Sequence, residues 1–309
     1  MSLLVNPKLL KSASVAAMCI AAISVHAAEP QMSTDAEVPG KSWFKSSDKG
    51  FSYFLGLGHQ GLKYRENAKL LPVKSSVKTS SPIFVTGALY AVNDDLLFSV
   101  DSEGTFYPKR ATESWNSTAP VFNGVILTDS LLQENRFALS QNHTQILGHY
   151  RLSGANFLIA GPAVHTQSFK RFSFKIGPDK AVTTPKDTVV EESSGEIILN
   201  VGWALESEQV RGKDAHYGLR AVVGVPIWRR VDNTNVPDVQ FTNARGYDLL
   251  LEGRYSYAIH SGVHFGLWGK MLTSRRERES LPRLNGDTAE LPNSRLDSMS
   301  YGIEFLWKL

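Results

Sequence analysis

Cysteine is almost absent from these 309 residues: Cys19 is the only one. It lies in an N-terminal segment read below as a cleaved leader, so the mature chain is expected to hold no thiol, no disulfide and no cysteine-ligated metal. It follows Met18, whereas a lipoprotein site has a small residue directly before its cysteine. A fold for an oxidising compartment must then be held by something other than cross-links. Helices long enough to cross a bilayer are missing too, since the apolar run from Ala13 to Val25 falls short of the ~20 residues required. Charge of one sign is not in excess: 33 Lys and Arg stand against 30 Asp and Glu, a balance that suggests no nucleic-acid surface. No Gly-rich phosphate loop and no cluster with metal-ligand spacing occurs, so neither cofactor nor metal is expected.

What is present begins at the N-terminus. Lys8 and Lys11 precede the apolar run, and Val25-His26-Ala27 followed by Ala28 supplies a small-residue cleavage site, the three-part layout of a secretory signal. Residues 1–27 are read as that signal and 28–49 as a flexible periplasmic lead dominated by Pro, Ser, Asp and Lys. Residues 50–309 form the folded body.

At the other end Met299, Tyr301, Ile303, Phe305, Trp307 and Leu309 alternate with Ser298, Ser300, Gly302, Glu304, Leu306 and Lys308. Side chains of a strand alternate between faces, so one face is apolar and the other mostly small or charged. Reading backward, the same alternation occurs over Val263–Met271, Tyr247–Ile259, His216–Ile227 and Ile197–Glu206. Further strands are expected around Phe157 to Phe174, His143 to Leu152, Asp95 to Tyr107, Pro82 to Val92 and Phe51 to Tyr64. Short links at 93–95, 153–155, 212–214 and 261–262 alternate with long ones at 66–81, 108–142, 175–194, 230–245 and 275–296. A sandwich has no reason to keep that parity, whereas a membrane barrel has short turns on one side and long loops on the other. The expected fold is all-β: a transmembrane antiparallel up-and-down β-barrel of about 10 strands. Val125 to Phe137 is read as a capped helix, a plug or an extra hairpin, the last making 12 strands.

The alternating chain and its ending resemble the outer-membrane β-barrel proteins of Gram-negative bacteria, whose last strand is read by the barrel-assembly machinery. Tyr301, Ile303, Phe305, Trp307 and Leu309 would carry that assembly signal, although such strands more often end on an aromatic residue. Length and ending also resemble a solitary autotransporter-type β-domain; such domains are usually twelve-stranded and follow a secreted passenger, for which the lead before the first strand leaves no room.

Parity turns Asp101, Glu206, Arg220, Asp248, Glu252, Arg254, Lys270 and Glu304 inward. Their mixed signs favour mutual pairing over an ion path, because unpaired charges in a narrow lumen are costly. Outer-membrane proteases present paired aspartates and an Asp-His pair at the external rim; Asp94, Asp95, Asp214 and His216 match in type, but the strand order puts all four in periplasmic turns. Outer-membrane lipid hydrolases resemble one another in carrying His and Ser two residues apart on one strand, and no histidine here has that neighbour. His143, His149 and His165 read as structural strand residues. No catalytic residue is therefore assigned, and an outer-membrane protease or lipid hydrolase is the minor alternative. Arg275, Arg276 and Arg278, with Arg229 and Arg230 ending another ascending strand, are candidates for contact with lipopolysaccharide phosphates. The expected role is structural or surface-interacting through external loops, with lipid, lipopolysaccharide, and a surface ligand or phage as partners. A narrow channel is the alternative.

Overall fold

The computed structural model describes residues 50–207 and 215–308. The signal segment, the lead, the 212–214 turn with Asp214, and Leu309 lie outside the described residues. In chain order the strands are β1 (Phe51–Asn67), β2 (Val73–Ala91), β3 (Leu96–Thr105), β4 (Arg110–Ser117), β5 (Val121–Phe122), β6 (Val125–Ile126), β7 (Leu131–Ser153) and β8 (Asn156–Ile176). They continue as β9 (Val190–Glu206), β10 (Ala215–Asn233), β11 (Gln240–Phe241), β12 (Gly246–His260), β13 (Val263–Arg276), β14 (Glu279–Pro282), β15 (Thr288–Leu291) and β16 (Asn293–Lys308).

Each long strand pairs antiparallel with its sequence neighbours, and β16 returns to β1 in register from Ser52↔Lys308 to Asn67↔Asn293. Closure joins the first and last strands of the ring, which would otherwise be its two edges. β3 and β4 occupy one place between β2 and β7: β3 pairs the periplasmic parts of both, β4 the outer parts. The ring thus has ten positions, filled by β1, β2, β3 with β4, β7, β8, β9, β10, β12, β13 and β16. The twelve-strand alternative is not what forms: residues 125–137 divide between the small β5–β6 ladder, outside the ring, and the start of β7.

The tight turns at one end include Gly154 and Gly262 at φ of 53° and 71°, a region open to glycine without a Cβ penalty. The other end carries the connections 68–72, 118–130, 177–189, 234–245 and 277–292. All five are shorter than expected, the first two most of all, because β2 begins at Val73 and β7 at Leu131.

Outward side chains fall into two zones. Near the turns they are apolar, in lateral rows such as Leu267–Ile303–Leu57–Phe84, exposed by 56, 45, 61 and 37 %. Such a surface on a closed barrel faces hydrocarbon. Higher up the outward positions turn polar, with Lys63, Arg65, Lys78, Arg136, Lys170 and Arg295. β7 has 23 residues, about twice the ~9–11 that a bilayer requires, so the barrel continues beyond the membrane.

Candidate functional site: lumen and outer rim

The lumen is filled. Leu89, Leu97, Leu147, Phe157, Ile159, Val222, Leu250 and Leu272 form one apolar cluster, which starts near the turns and climbs through Leu250 and Leu272 towards the outer ends of β12 and β13. Towards the loops Leu62, Tyr64, Val77, Phe137, Leu139, Phe169 and Leu296 form another. Glycines make part of this packing possible: a Cβ on Gly302 would stand 2.2 Å from the Leu57 carbonyl oxygen and 2.9 Å from the Trp268 ring.

Charged networks lie among these clusters. Arg220 donates to Asp101 at 2.7 Å and to Glu252 at 3.2 Å. Arg254 reaches Glu252 at 2.5 Å and Glu304 at 2.8 Å, and its guanidinium stacks 4.0 Å from the centre of the Phe54 ring. Lys270 pairs with Glu103 at 3.0 Å, and Gln60 donates to the other oxygen of that carboxylate at 2.8 Å. Every cation here meets a carboxylate, which offsets the cost of burying both. Between Asp101, Glu206, Arg220 and Arg254 there remains a void of about 30 Å³, room for one or two waters.

The lumen holds all eight charges that strand parity turns inward: Asp101, Glu206, Arg220, Asp248, Glu252, Arg254, Lys270 and Glu304. Glu206 lies 3.4 Å from His149, whose other ring nitrogen is 2.9 Å from the Ser99 hydroxyl. Ser, His and Glu in a row are the parts of an activated nucleophile. Here Ser99 and His149 are both buried, and the adjoining void is too small for an ester or peptide, so the chain braces β3, β7 and β9. His165 stands 3.9 Å from Glu196, and His143 faces His165 at 5.8 Å, both buried. Asp94 and Asp95 lie in the turn before β3 and His216 near the start of β10, at the opposite end from the long loops.

Two arginines expected at the external surface turn inward instead. Arg229 and Arg276 are 6 and 5 % exposed and both bind Glu196; Arg276 also binds Asp248 at 2.7 Å. The cause on β10 is a bulge between Pro226 and Trp228, which reverses parity so that Trp228 and Arg230 face out and Arg229 faces in. Arg275 faces outward over Tyr247, Arg230 pairs with Asp232 at 3.1 Å, and Arg278 sits in the last loop. On β16, Tyr301, Ile303 and Phe305 are exposed on the outer wall, and Trp307 stacks on Tyr53 at 4.9 Å.

The outer mouth is organised by a residue not singled out from the sequence. Arg171 binds Glu113 through two nitrogens at 2.7 and 3.0 Å and Glu66 at 2.9 Å, with its plane over Phe169 and Trp115. Above it the loops pack in pairs. Loops 118–130 and 177–189 share an apolar cluster of Val73, Phe122, Leu132 and Ala181, and Asp179 accepts from the amides of Thr128 and Asp129. Loops 234–245 and 277–292 share Val239, Phe241, Ala289 and Leu291, and Arg283 donates to Asp238 at 3.0 Å.

No family model matches the chain, and no curated protein matches it in sequence. Solved structures do match. The outer membrane protease OmpT from Escherichia coli superposes with a TM-score of 0.62 at 10 % identity, over 86 % of this chain and 98 % of that one. This chain is an outer-membrane β-barrel by fold. Two further barrels align less closely, both with a TM-score of 0.34: OprG from Pseudomonas aeruginosa at 12 % identity, over 84 and 95 % of the two chains, and the translocator domain of the autotransporter NalP from Neisseria meningitidis at 8 %, over 97 and 97 %. At such identities the likeness carries the barrel alone.

Proposed function

We propose that this barrel is a sealed outer-membrane scaffold that presents two clasped pairs of loops for interaction at the cell surface, rather than a channel. The packing of the lumen carries this reading: among the described residues, two apolar clusters and paired charges surround small voids, of about 30 Å³ beside Arg220 and about 10 Å³ beside Lys270. A conducting barrel needs a continuous water path past its lumen charges, and a translocator needs room for a polypeptide. Ten ring positions filled by side chains supply neither.

The reading assigns no reaction. OmpT is named a protease, but Asp94, Asp95 and His216 are not gathered at the loop end here, and the Ser99–His149–Glu206 chain is closed to substrate. Export by the signal at residues 1–27, and assembly through Tyr301, Ile303, Phe305, Trp307 and Leu309 on the last strand, belong to the same proposal.

The test is single-channel recording of the refolded mature protein in planar bilayers, with a heat-modifiability gel to establish that the barrel is folded. Absence of conductance steps from folded protein is the expected result. Stable steps, lost when Arg254 and Lys270 are neutralised, would overturn it in favour of a channel.

A further inference from the structure

The outer wall carries a cationic patch placed against the rim of the lipid-facing band. On β2, β1, β16, β13 and β12 the outward residues in register form two rows: Lys78–Lys63–Asp297–Thr273–Leu249, and above it Ser76–Arg65–Arg295–Arg275–Tyr247. These rows hold five cations and one carboxylate. Opposed like charges on adjacent strands are unfavourable, and Arg65, Arg295 and Arg275 stand side by side across three of them. Asp297 relieves part of this: it accepts from Arg65, from Arg295 at 2.8 Å and from Thr273 at 3.0 Å. A single anion that orients two guanidiniums leaves a surplus of fixed donors pointing away from the barrel.

Height identifies what the donors would meet. The last apolar row beneath the patch contains Met271 and Met299, 55 and 60 % exposed. At ~3.3 Å per residue and a strand tilt of ~40°, the Lys63 row stands ~5 Å above those methionines and the Arg65 row ~10 Å. The headgroup zone occupies ~5–7 Å on each side of the hydrocarbon, within reach of long cationic side chains that bend towards it.

We propose that Arg65, Arg275 and Arg295, supported by Lys63 and Lys78, bind the phosphate groups of a lipid in the outer leaflet against the β1–β16–β13 wall. The site goes beyond the scaffold reading and needs only the barrel and its orientation. Guanidinium forks match phosphate oxygens two at a time, and Tyr247, 5.7 Å from the Arg275 guanidinium, offers an aromatic flank.

The test uses the full folded protein in detergent, titrated with micelles doped with bisphosphorylated lipid A, with the dephosphorylated lipid, or with free pyrophosphate alone. The expected result is preferential binding of the phosphorylated lipid, at least tenfold weaker in R65Q/R275Q/R295Q and largely retained in R65K/R275K/R295K. K170Q, at the outward Lys170 that pairs with Glu191, should bind as the unaltered protein does. The proposal falls if the glutamine triple variant, still heat-modifiable, binds unchanged, or if the dephosphorylated lipid binds equally well. Pyrophosphate binding as tightly as the lipid would also overturn it, making the patch a site for soluble anions.

Discussion

At the scale of single residues, Arg171 is the most consequential side chain of the outer mouth. It is 5 % exposed, with Glu66 and Glu113 on two other strands and aromatic rings on its faces. Removing one partner of a buried ion pair costs more than the pair contributes, because the remaining carboxylates lose their counter-charge without regaining water. R171Q is therefore expected to lower barrel stability by ~3–5 kcal/mol, and R171K by less, since lysine keeps the charge but loses the fork. The midpoint of urea unfolding, followed by the heat-modifiable band shift, reads this directly. Equal midpoints for R171Q and the unaltered protein would mean that water already hydrates Glu66 and Glu113. The same scale explains why the lumen charges could be placed from sequence parity while their partners could not. Arg220 meets Asp101 across 119 residues of chain, a pairing that no local pattern encodes.

At the scale of elements, the loops are held by contacts that respond to acid in one direction. The hydrogen bond from Arg283 holds the Asp238 carboxyl below the usual carboxylate range. A folded-state value below the unfolded one contributes stability that is complete above the ordinary carboxylate range and is lost as pH falls through the depressed value. The clasp between loops 234–245 and 277–292 should thus resist limited proteolysis equally at pH 7 and pH 5, and open only in stronger acid. D238N should be cut faster at both pH values; if it is cut no faster, the apolar cluster around Phe241 and Leu291 alone holds the pair.

Sequence legibility follows the membrane for a physical reason. Where strands meet lipid, apolar and polar residues must alternate, and the strand centres from Phe51 to Trp307 could be read that way. Above the lipid the outward face turns polar while the inward one mixes apolar, small and charged residues: outward Lys63 and Arg65 flank inward Tyr64, and Val73 to Lys78 alternates only weakly. Those stretches read as loops, which hid β4, the start of β7 and the carboxylates that Arg171 binds. Within residues 125–137, for which a capped helix is one of three expectations, Thr128 binds Asp179, and the Asp129 side chain takes the Leu131 amide at 3.0 Å, an Asx-type turn into a strand.

For the whole molecule, the two apolar clusters are barriers in series. One starts near the turns on β2, β3, β7, β8 and β9 and climbs over β10, β12 and β13; the other lies near the loops on β1, β2, β7, β8 and β16. Phe137 and Phe169 meet at 5.4 Å in the second, and Leu147 and Phe157 are 0 and 2 % exposed in the first. Opening one barrier leaves the other intact, so conduction requires both to fail. L147A/F157A and F137A/F169A should each remain non-conducting in planar bilayers, although each large-to-small change costs about 2–5 kcal/mol and folding must be verified on the gel. Conductance steps from either folded variant would show that its cluster alone closes the pore, which would place the seal in one layer rather than along the lumen.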